Sequence, residues 1–137
     1  LDNMRILSSS FDSADHIVMS CEVQPDSLEI LADEKQISQV LLNLVKNAFQ
    51  SNAENENATV KIIAHIEKNG RPEIQVIDNG PGIPDDLMDK IFVPVFTTKD
   101  AGSGIGLSIS RQIMQMHGGS LKIVSNPHKA TQAILTF

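Results

Sequence analysis

The sequence predicts an α+β fold, a two-layer α/β sandwich in which helices cover one face of a mixed, mainly antiparallel sheet. Apart from a short amino-terminal helix and a short strand before the long helix, the predicted elements follow the order strand, helix, strand, strand, helix, strand and strand. This order is typical of helices segregated to one side of a sheet. The length of 137 residues suits one core rather than two, so we expect a single domain over residues 1–137.

The amino-terminal segment is predicted to hold a short helix and two short strands. The helix covers residues 1–11 and packs three apolar side chains on the core, namely Met4, Leu7 and Phe11. A loose alternation of apolar and polar residues predicts strands at residues 17–23 and 28–31. The single cysteine, Cys21, excludes an internal disulfide. We expect it to be a buried thiol on the first strand.

A long helix is predicted over residues 34–51, with Asp33 as its N-cap. At about 100° per residue, one of its faces is apolar and is expected to be core. That face consists of Ile37, Val40, Leu41, Leu44, Val45 and Ala48. A stripe of neutral amides runs beside it, formed by Gln36, Gln39, Asn43, Asn47 and Gln50. Solvated faces normally carry Lys and Glu, so the stripe indicates either a semi-buried surface for a specific partner or a partner-free polar flank.

Two antiparallel strands are predicted next. Apolar side chains alternate with polar ones along the first of them, at Val60, Ile62, Ala64 and Ile66. Asn69-Gly70 is a strong signal for a tight turn, so residues 73–78 are expected to return antiparallel.

Residues 79–104 are predicted to form a long loop, because glycine and proline are concentrated there. A loop of this length inside a compact domain is usually functional or disordered. A helix over residues 104–117 is expected to bury Ile105, Ile109, Ile113 and Met116. Gly118-Gly119 ends this helix, and strands at residues 120–125 and 131–137 complete the chain.

The net charge of −6 argues against a nucleic-acid binder, which normally shows a basic surface. It does not exclude phosphate ligands, because backbone N–H groups can build a local anion site. The sequence shows neither an apolar run long enough to span a bilayer nor a signal-peptide pattern. Since the chain begins and ends abruptly, we expect it to be a fragment of a longer protein.

Two glycine-rich segments are candidate binding elements. In residues 78–83 (DNGPGI), a carboxylate at a strand end precedes two glycines. It can accept a hydrogen bond from an exocyclic amine such as that of adenine, or it can cap its own loop as an Asx turn. Residues 102–107 (GSGIGL) open a helix, whose N–H groups favour an anion. The GxGxxG and GxxxxGK[ST] patterns are absent, which disfavours a dinucleotide-binding fold and a P-loop.

In their order, these segments resemble the GHKL (Bergerat-type) ATP-binding superfamily, and within it the sensor histidine kinases. The resemblance covers about residues 28–137. QVLLNLVKNA is similar to the N box, DNGPGIP and GSGIGL to the two glycine boxes, and IFVPVFTTK to the phenylalanine box. His117-Gly118-Gly119 also stands at the family's position. The resemblance implies that residues 79–104 form a lid over ATP, and that residues 1–15 follow a missing dimerisation and phosphoacceptor domain.

The resemblance also implies the site residues. Asn47 would ligate Mg²⁺, and Asp78 would bind the adenine amine. Asn43 would line the phosphate end and, with the lid residue Lys99, would act in catalysis. The other implied ATP-binding residues are Gly80, Gly82, Ile83, Ser103, Gly104, Ile105, Gly106, Leu107 and Thr131.

Asn43 discriminates between branches of this superfamily. Gyrase, mismatch-repair and heat-shock chaperone ATPases, and the serine-directed kinases, carry a glutamate four residues before the metal asparagine. An amide cannot serve as a general base for water, so the resemblance implies transfer of the ATP γ-phosphoryl group to a histidine. The implied partners are a histidine-containing dimerisation domain and a response regulator, without nucleic acid or direct membrane contact. We expect a cytoplasmic domain of a protein anchored in the inner membrane.

Departures from the family pattern leave two alternatives open. Gln50 replaces a common Lys or Arg, and Ala130 replaces the usual glycine before Thr131. No phosphoacceptor box occurs, and the four histidines are expected to be structural or surface residues, namely His16, His65, His117 and His128. The alternatives are a nucleotide-sensing interaction module (a degenerate kinase), or an ATPase or Ser/Thr kinase of the same fold.

Overall fold

A computed structural model describes residues 18–25, 28, 30, 32–52, 57–80, 82–83, 85–88, 91, 106–126 and 130–137. Its elements, in chain order, are β1 (Val18–Val23), α1 (Glu34–Ser51), β2 (Thr59–Ile66), β3 (Pro72–Asp78), α2 (Asp85–Met88), α3 (Gly106–Met116), β4 (Ser120–Asn126) and β5 (Ala130–Thr136). The predictions for residues 1–15, including the helix with Met4, Leu7 and Phe11, fall outside the described residues. Within the described part of the chain, no helix is both long and apolar enough to cross a membrane.

The strands form one sheet in the order β1-β2-β3-β5-β4. β1 and β2 are parallel, and the other neighbouring pairs are antiparallel. Parallel neighbours need a crossover connection, and α1 lies in the connection between β1 and β2. The predicted mixed, mainly antiparallel sheet is therefore confirmed.

The core lies between the sheet and the two longer helices. α1 begins after Asp33, whose carboxylate accepts the Gln36 N–H at 3.1 Å, as the N-cap prediction requires. The whole predicted apolar face of α1 is buried, from Ile37 to Ala48. It packs with buried side chains of β2, β3, α3, β4 and β5, namely Val60, Ile62, Ala64, Ile74, Val76, Ile113, Met114, Leu121, Ala133 and Leu135.

The burial prediction for α3 is partly wrong. Ile113 is buried and Ile109 packs partly on the core, but Met116 is 70% exposed and Met114 is fully buried in its place. The buried face is centred on Ser110, and Met116 lies roughly 120° from that centre at about 100° per residue. Ile105 lies outside the described residues.

Three smaller predictions near the sheet edges are corrected. Leu28 and Ile30 are not in a strand, and the Leu28 N–H instead donates to the Pro25 carbonyl oxygen at 2.9 Å. Cys21 is exposed because it lies on β1, an edge strand. Ile66 is also exposed, because it ends β2 at the hairpin, beyond the buried part of the strand.

The turn after α3 joins distant parts of the chain. The Asp33 N–H donates to Nε2 of His117 at 3.1 Å, and Nδ1 of the same ring lies 2.8 Å from the Ile113 carbonyl oxygen. A neutral imidazole with its proton on Nδ1 satisfies both contacts. His117 therefore links the start of α1 to the end of α3, which agrees with its predicted structural role.

We predict that Gly119→Ala destabilises the fold. A Cβ at this position would overlap the Thr136 carbonyl oxygen and approach Cε of Met114 at 3.3 Å, and overpacking of this kind costs about 3 kcal/mol. Urea unfolding followed by circular dichroism measures the loss.

Gly118→Ala is the matched control, because its added Cβ meets nothing within 4 Å and only its φ of +73° is unfavourable. That backbone conformation costs roughly 1 kcal/mol. Equal unfolding free energies for the two variants would contradict the proposed clash.

Candidate functional site

The described candidate residues lie on α1, at the carboxyl end of β3, at the start of α3 and on β5. Asp78 is the last residue of β3 and pairs with Thr131 on β5. Asn43 and Asn47 lie on α1, whereas Gly106 and Leu107 begin α3. Four predicted ATP-binding residues, Lys99, Ser103, Gly104 and Ile105, lie outside the described residues, as does most of the predicted lid.

The carboxylate of Asp78 is buried, with 6% of the residue exposed. Its Oδ1 atom accepts the backbone N–H of Gly80 at 2.9 Å. This contact from residue i to i+2 is that of an Asx turn, so the loop-capping role considered from the sequence is present. An ionised carboxylate has several acceptor positions, so the turn is compatible with recognition of an amine as well.

Gly80 is required by its surroundings. A Cβ there would lie 2.9 Å from Oδ1 of Asp78 and 3.0 Å from both side-chain amide atoms of Asn52. Gly82 has a φ of 74°, a left-handed conformation that favours glycine. The two glycines therefore bring the chain close to the Asp78 carboxylate and then turn it away.

Asn52 is a site residue that sequence reasoning missed. It is the C-cap of α1 and is completely buried, and its Nδ2 donates to the Ala48 carbonyl oxygen at 2.7 Å. Its amide lies against Gly80 and therefore joins α1 to the loop after β3. Its position in an Asn-rich segment hid this role, because such segments normally indicate only a helix end.

Asn79 fixes the same loop from the other side. Its Oδ1 accepts the Thr59 N–H at 2.8 Å, and its Nδ2 donates to the Asn57 carbonyl oxygen at 2.8 Å. The side chain therefore holds the end of β3 against the start of β2.

Ser125 is a second residue that sequence reasoning missed. The Ile83 N–H donates to Oγ of Ser125 at 2.6 Å. The same hydroxyl lies 3.4 Å from the Ile83 carbonyl oxygen and 3.5 Å from the Ala130 carbonyl oxygen. Since Ser125 pairs with Thr131, it attaches the loop after β3 to β4 and β5 beside the Asp78–Thr131 pair.

The amide stripe of α1 is half-buried at four of its five positions, and only Gln39 is exposed. Nδ2 of Asn43 donates to Oγ of the fully buried Ser110 at 3.4 Å, which connects α1 to α3. A Cβ on Gly106 would lie 3.7 Å from Cγ of Asn43, an ordinary contact. The described neighbours therefore do not require glycine at position 106, in contrast to position 80.

The α1 amides fit a magnesium ion only if other oxygens complete its shell. Amide carbonyls are hard oxygen ligands, and Mg²⁺ is typically held by few protein groups together with water and substrate phosphates. Among the described residues, three or more His, Cys, Asp or Glu ligands come together only at the β2–β3 hairpin. A magnesium ion at Asn43 and Asn47 would therefore have to be shared with water and phosphate oxygens rather than enclosed by protein groups.

We predict that Ser125→Ala loosens the loop at Ile83. Without the hydroxyl, the Ile83 N–H loses its acceptor, a change of about 1.4 kcal/mol that corresponds to roughly tenfold faster amide exchange. Hydrogen exchange measured by NMR follows the Ile83 amide directly.

The Ile74 amide, within β3, should keep its protection, and Ser125→Thr should retain slow exchange at Ile83 because it keeps the hydroxyl. Unchanged Ile83 exchange in Ser125→Ala would show that this hydrogen bond does not hold the loop.

Comparison with known proteins gives consistent matches. A family model described as histidine kinase-, DNA gyrase B-, and HSP90-like ATPase matches residues 32–137. The sensory histidine kinase/phosphatase NtrB of Vibrio alginolyticus is 33% identical over 132 residues, which cover 90% of this chain and 38% of that protein. The chain spans between 18% and 38% of the length of the first curated relatives it matches.

Solved structures show the same likeness. The catalytic domain of histidine kinase ThkA superposes with a TM-score of 0.81 at 32% identity, covering 96% of this chain and 84% of that one. Histidine kinase ThkA in complex with the response regulator protein TrrA matches with a TM-score of 0.75 at 32% identity, covering 96% of this chain and 36% of that one.

Proposed function

We propose that this chain transfers the γ-phosphoryl group of ATP to a histidine on a separate dimerisation domain. The chain belongs to the histidine kinase-, DNA gyrase B-, and HSP90-like ATPase family, among the catalytic domains of sensor histidine kinases. The Bergerat-type fold and ATP binding follow from this membership. The acceptor, the magnesium ion and the roles of single residues belong to the proposal.

The observation that carries the proposal is the buried carboxylate at the end of β3. Asp78 is held in one orientation by the Gly80 N–H, and the close packing of Gly80 against Asn52 keeps that loop in place. A buried, acceptor-only carboxylate is complementary to the exocyclic amine of adenine. Thr131 pairs with Asp78, and Ile83 is held by Ser125, which pairs with Thr131 in turn. Ile83 and Thr131 would form the walls of an adenine pocket.

The phosphate end of the site would lie toward the amino terminus of α1. Asn43 precedes Asn52 by nine residues, or roughly 13 Å along a helix axis. We infer that Asn47, with Asn43 beside it, holds Mg²⁺, which when bound neutralises charge on the phosphates. Residues 103–107, of which Gly106 and Leu107 begin α3, would place N–H groups near the phosphates. Lys99 would add a cation from the lid.

Asn43 favours transfer to a protein acceptor over hydrolysis. The amide cannot remove a proton from water, and its Nδ2 donates to Ser110. The attacking imidazole nitrogen of the acceptor carries a lone pair and no proton, so no base has to deprotonate it. The bond from that nitrogen to the γ-phosphorus forms as the bond from phosphorus to the bridging oxygen breaks, and ADP leaves. The N–H proton of the other ring nitrogen can leave to solvent after transfer. Positioning by this chain would supply most of the catalysis.

The proposed partners are a dimerisation domain of the parent protein and a response regulator. The chain matches only part of each curated relative, which leaves room in the parent protein for a histidine-bearing dimerisation domain and a membrane anchor. Residues 1–15 would be the linker from that dimerisation domain, and residues 79–104 the ATP lid. The solved complex of ThkA with the response regulator TrrA supports a response regulator as the downstream partner.

The test is transfer of label from γ-labelled ATP in the presence of Mg²⁺. The chain alone is expected to release almost no phosphate. Addition of the histidine-bearing dimerisation domain of the parent kinase should give acid-labile label on that domain. A variant of the domain that lacks the histidine is the control, and Asn43→Glu should raise phosphate release.

Steady hydrolysis by the unmodified chain, without label on the acceptor, would favour the ATPase alternative. Nucleotide binding without transfer or hydrolysis would favour the nucleotide-sensing module.

A further inference from the structure

A cluster of possible metal ligands lies at the β2–β3 hairpin, apart from the nucleotide site. His65 on β2 pairs with Glu73 on β3, and Glu67 follows β2 directly. Nε2 of His65 lies 3.2 Å from Oε1 of Glu73 and 3.3 Å from Oε1 of Glu67. One ligand atom from each of the three residues falls within 4.8 Å of the others. The cluster lies on the sheet face opposite the helices, because the neighbouring residues Ala64 and Ile74 point into the core.

The spacing of these atoms suits a tetrahedral zinc ion. Zinc binds histidine nitrogen and carboxylate oxygen at about 2.0–2.2 Å. Corners of a tetrahedron of that size lie roughly 3.3–3.6 Å apart, which is close to the two contacts made by His65. The two glutamate oxygens lie within 4.8 Å of each other, so the three groups could occupy three corners around one ion.

The charge balance of the cluster also favours a cation. Two carboxylates converge on one ring nitrogen, which carries at most a single proton. Within the described residues, neither Glu67 nor Glu73 forms an ion pair with lysine or arginine. Arg71 in the same hairpin is engaged elsewhere, because it donates to the carbonyl oxygens of Phe137 at 2.7 Å and Gly118 at 3.0 Å.

Outer hydrogen bonds hold the ligands in position. Nε2 of Gln75 donates to Oε1 of Glu73, and Nε2 of Gln132 donates to Oε1 of Gln75 at 2.6 Å. The Glu67 N–H donates to the Arg71 carbonyl oxygen at 2.9 Å, which fixes its backbone in the hairpin. Supporting bonds of this kind orient metal ligands and raise affinity.

We propose that His65, Glu67 and Glu73 form a binding site for a zinc-type divalent transition-metal ion, with water completing the tetrahedron. Glu73 and Asp78 are five residues apart on β3, or roughly 16 Å along the strand. The ion would therefore bind independently of nucleotide. By joining β2 to β3 at their hairpin end, it would stabilise the pairing of these two inner strands.

Calorimetric titration of the chain with ZnCl₂, in buffer that contains millimolar MgCl₂, tests this site. One ion per chain is expected, with the same affinity in the presence and absence of ADP once the binding of zinc to free ADP is subtracted. His65→Ala and Glu73→Gln should each weaken binding by about 100-fold or more, and Gln75→Ala by about tenfold, since outer-shell changes typically cost 10–100-fold. Glu22→Gln is the matched control, because Glu22 is an exposed acid on β1 that pairs with Lys61. The affinity of this variant for zinc should equal that of the unmodified chain.

A second measurement needs no variant. In the NMR spectrum of the unmodified chain, zinc should shift the ring signals of His65 and leave those of His117 in place. No binding at millimolar zinc, or binding that survives His65→Ala, would overturn the proposal. Loss of zinc affinity in ADP beyond that caused by the zinc–ADP complex in solution, measured without protein, would also overturn it, because the ion would then occupy the nucleotide site.

Discussion

The burial of one face of α1 against the sheet is the constraint on which the site depends. Val40 and Val45 are completely buried, and each such side chain contributes about 2 kcal/mol by leaving water. This packing fixes the rotation of the helix about its axis. At about 100° per residue, Asn43 and Asn47 then occupy the half-buried flank, and Asn43 contacts Ser110 and lies beside Gly106 on α3. The same residues that build the core thus orient the proposed phosphate end.

The proposed adenine end depends on a second, polar constraint. A buried carboxylate without partners would be costly, and the turn from Asp78 to Gly80 satisfies one of its oxygens. The space that Gly80 leaves is filled by the amide of Asn52, which caps α1. The carboxyl end of α1, the end of β3 and the loop after β3 are therefore joined at one point. This junction would hold the proposed phosphate and adenine ends at a fixed spacing along α1.

A structural element or site residue can be predicted from the sequence when the interactions that determine it are between residues close together in the chain. The bounds of α1 and its apolar face were predictable, because Asp33 caps the helix and the 3.6-residue period is unbroken. Residues whose role depends on long-range packing were not: Asn52 and Ser125 gain their roles from Gly80 and Ile83. Met116 was misassigned because the orientation of α3 is set by its neighbours. The motif order identified the candidate site, since residues 78–83 and 102–107 carry local signals.

Recognition of the adenine of ATP by Asp78 can be measured by calorimetric titration of the chain with ADP and a non-hydrolysable ATP analogue. We expect saturable binding that Mg²⁺ strengthens and that Asp78→Asn weakens at least tenfold, about 1.4 kcal/mol. Asp33→Asn, which keeps the N-cap, should bind as the unmodified chain does. Absence of binding at millimolar nucleotide, or equal affinity in Asp78→Asn, would contradict it.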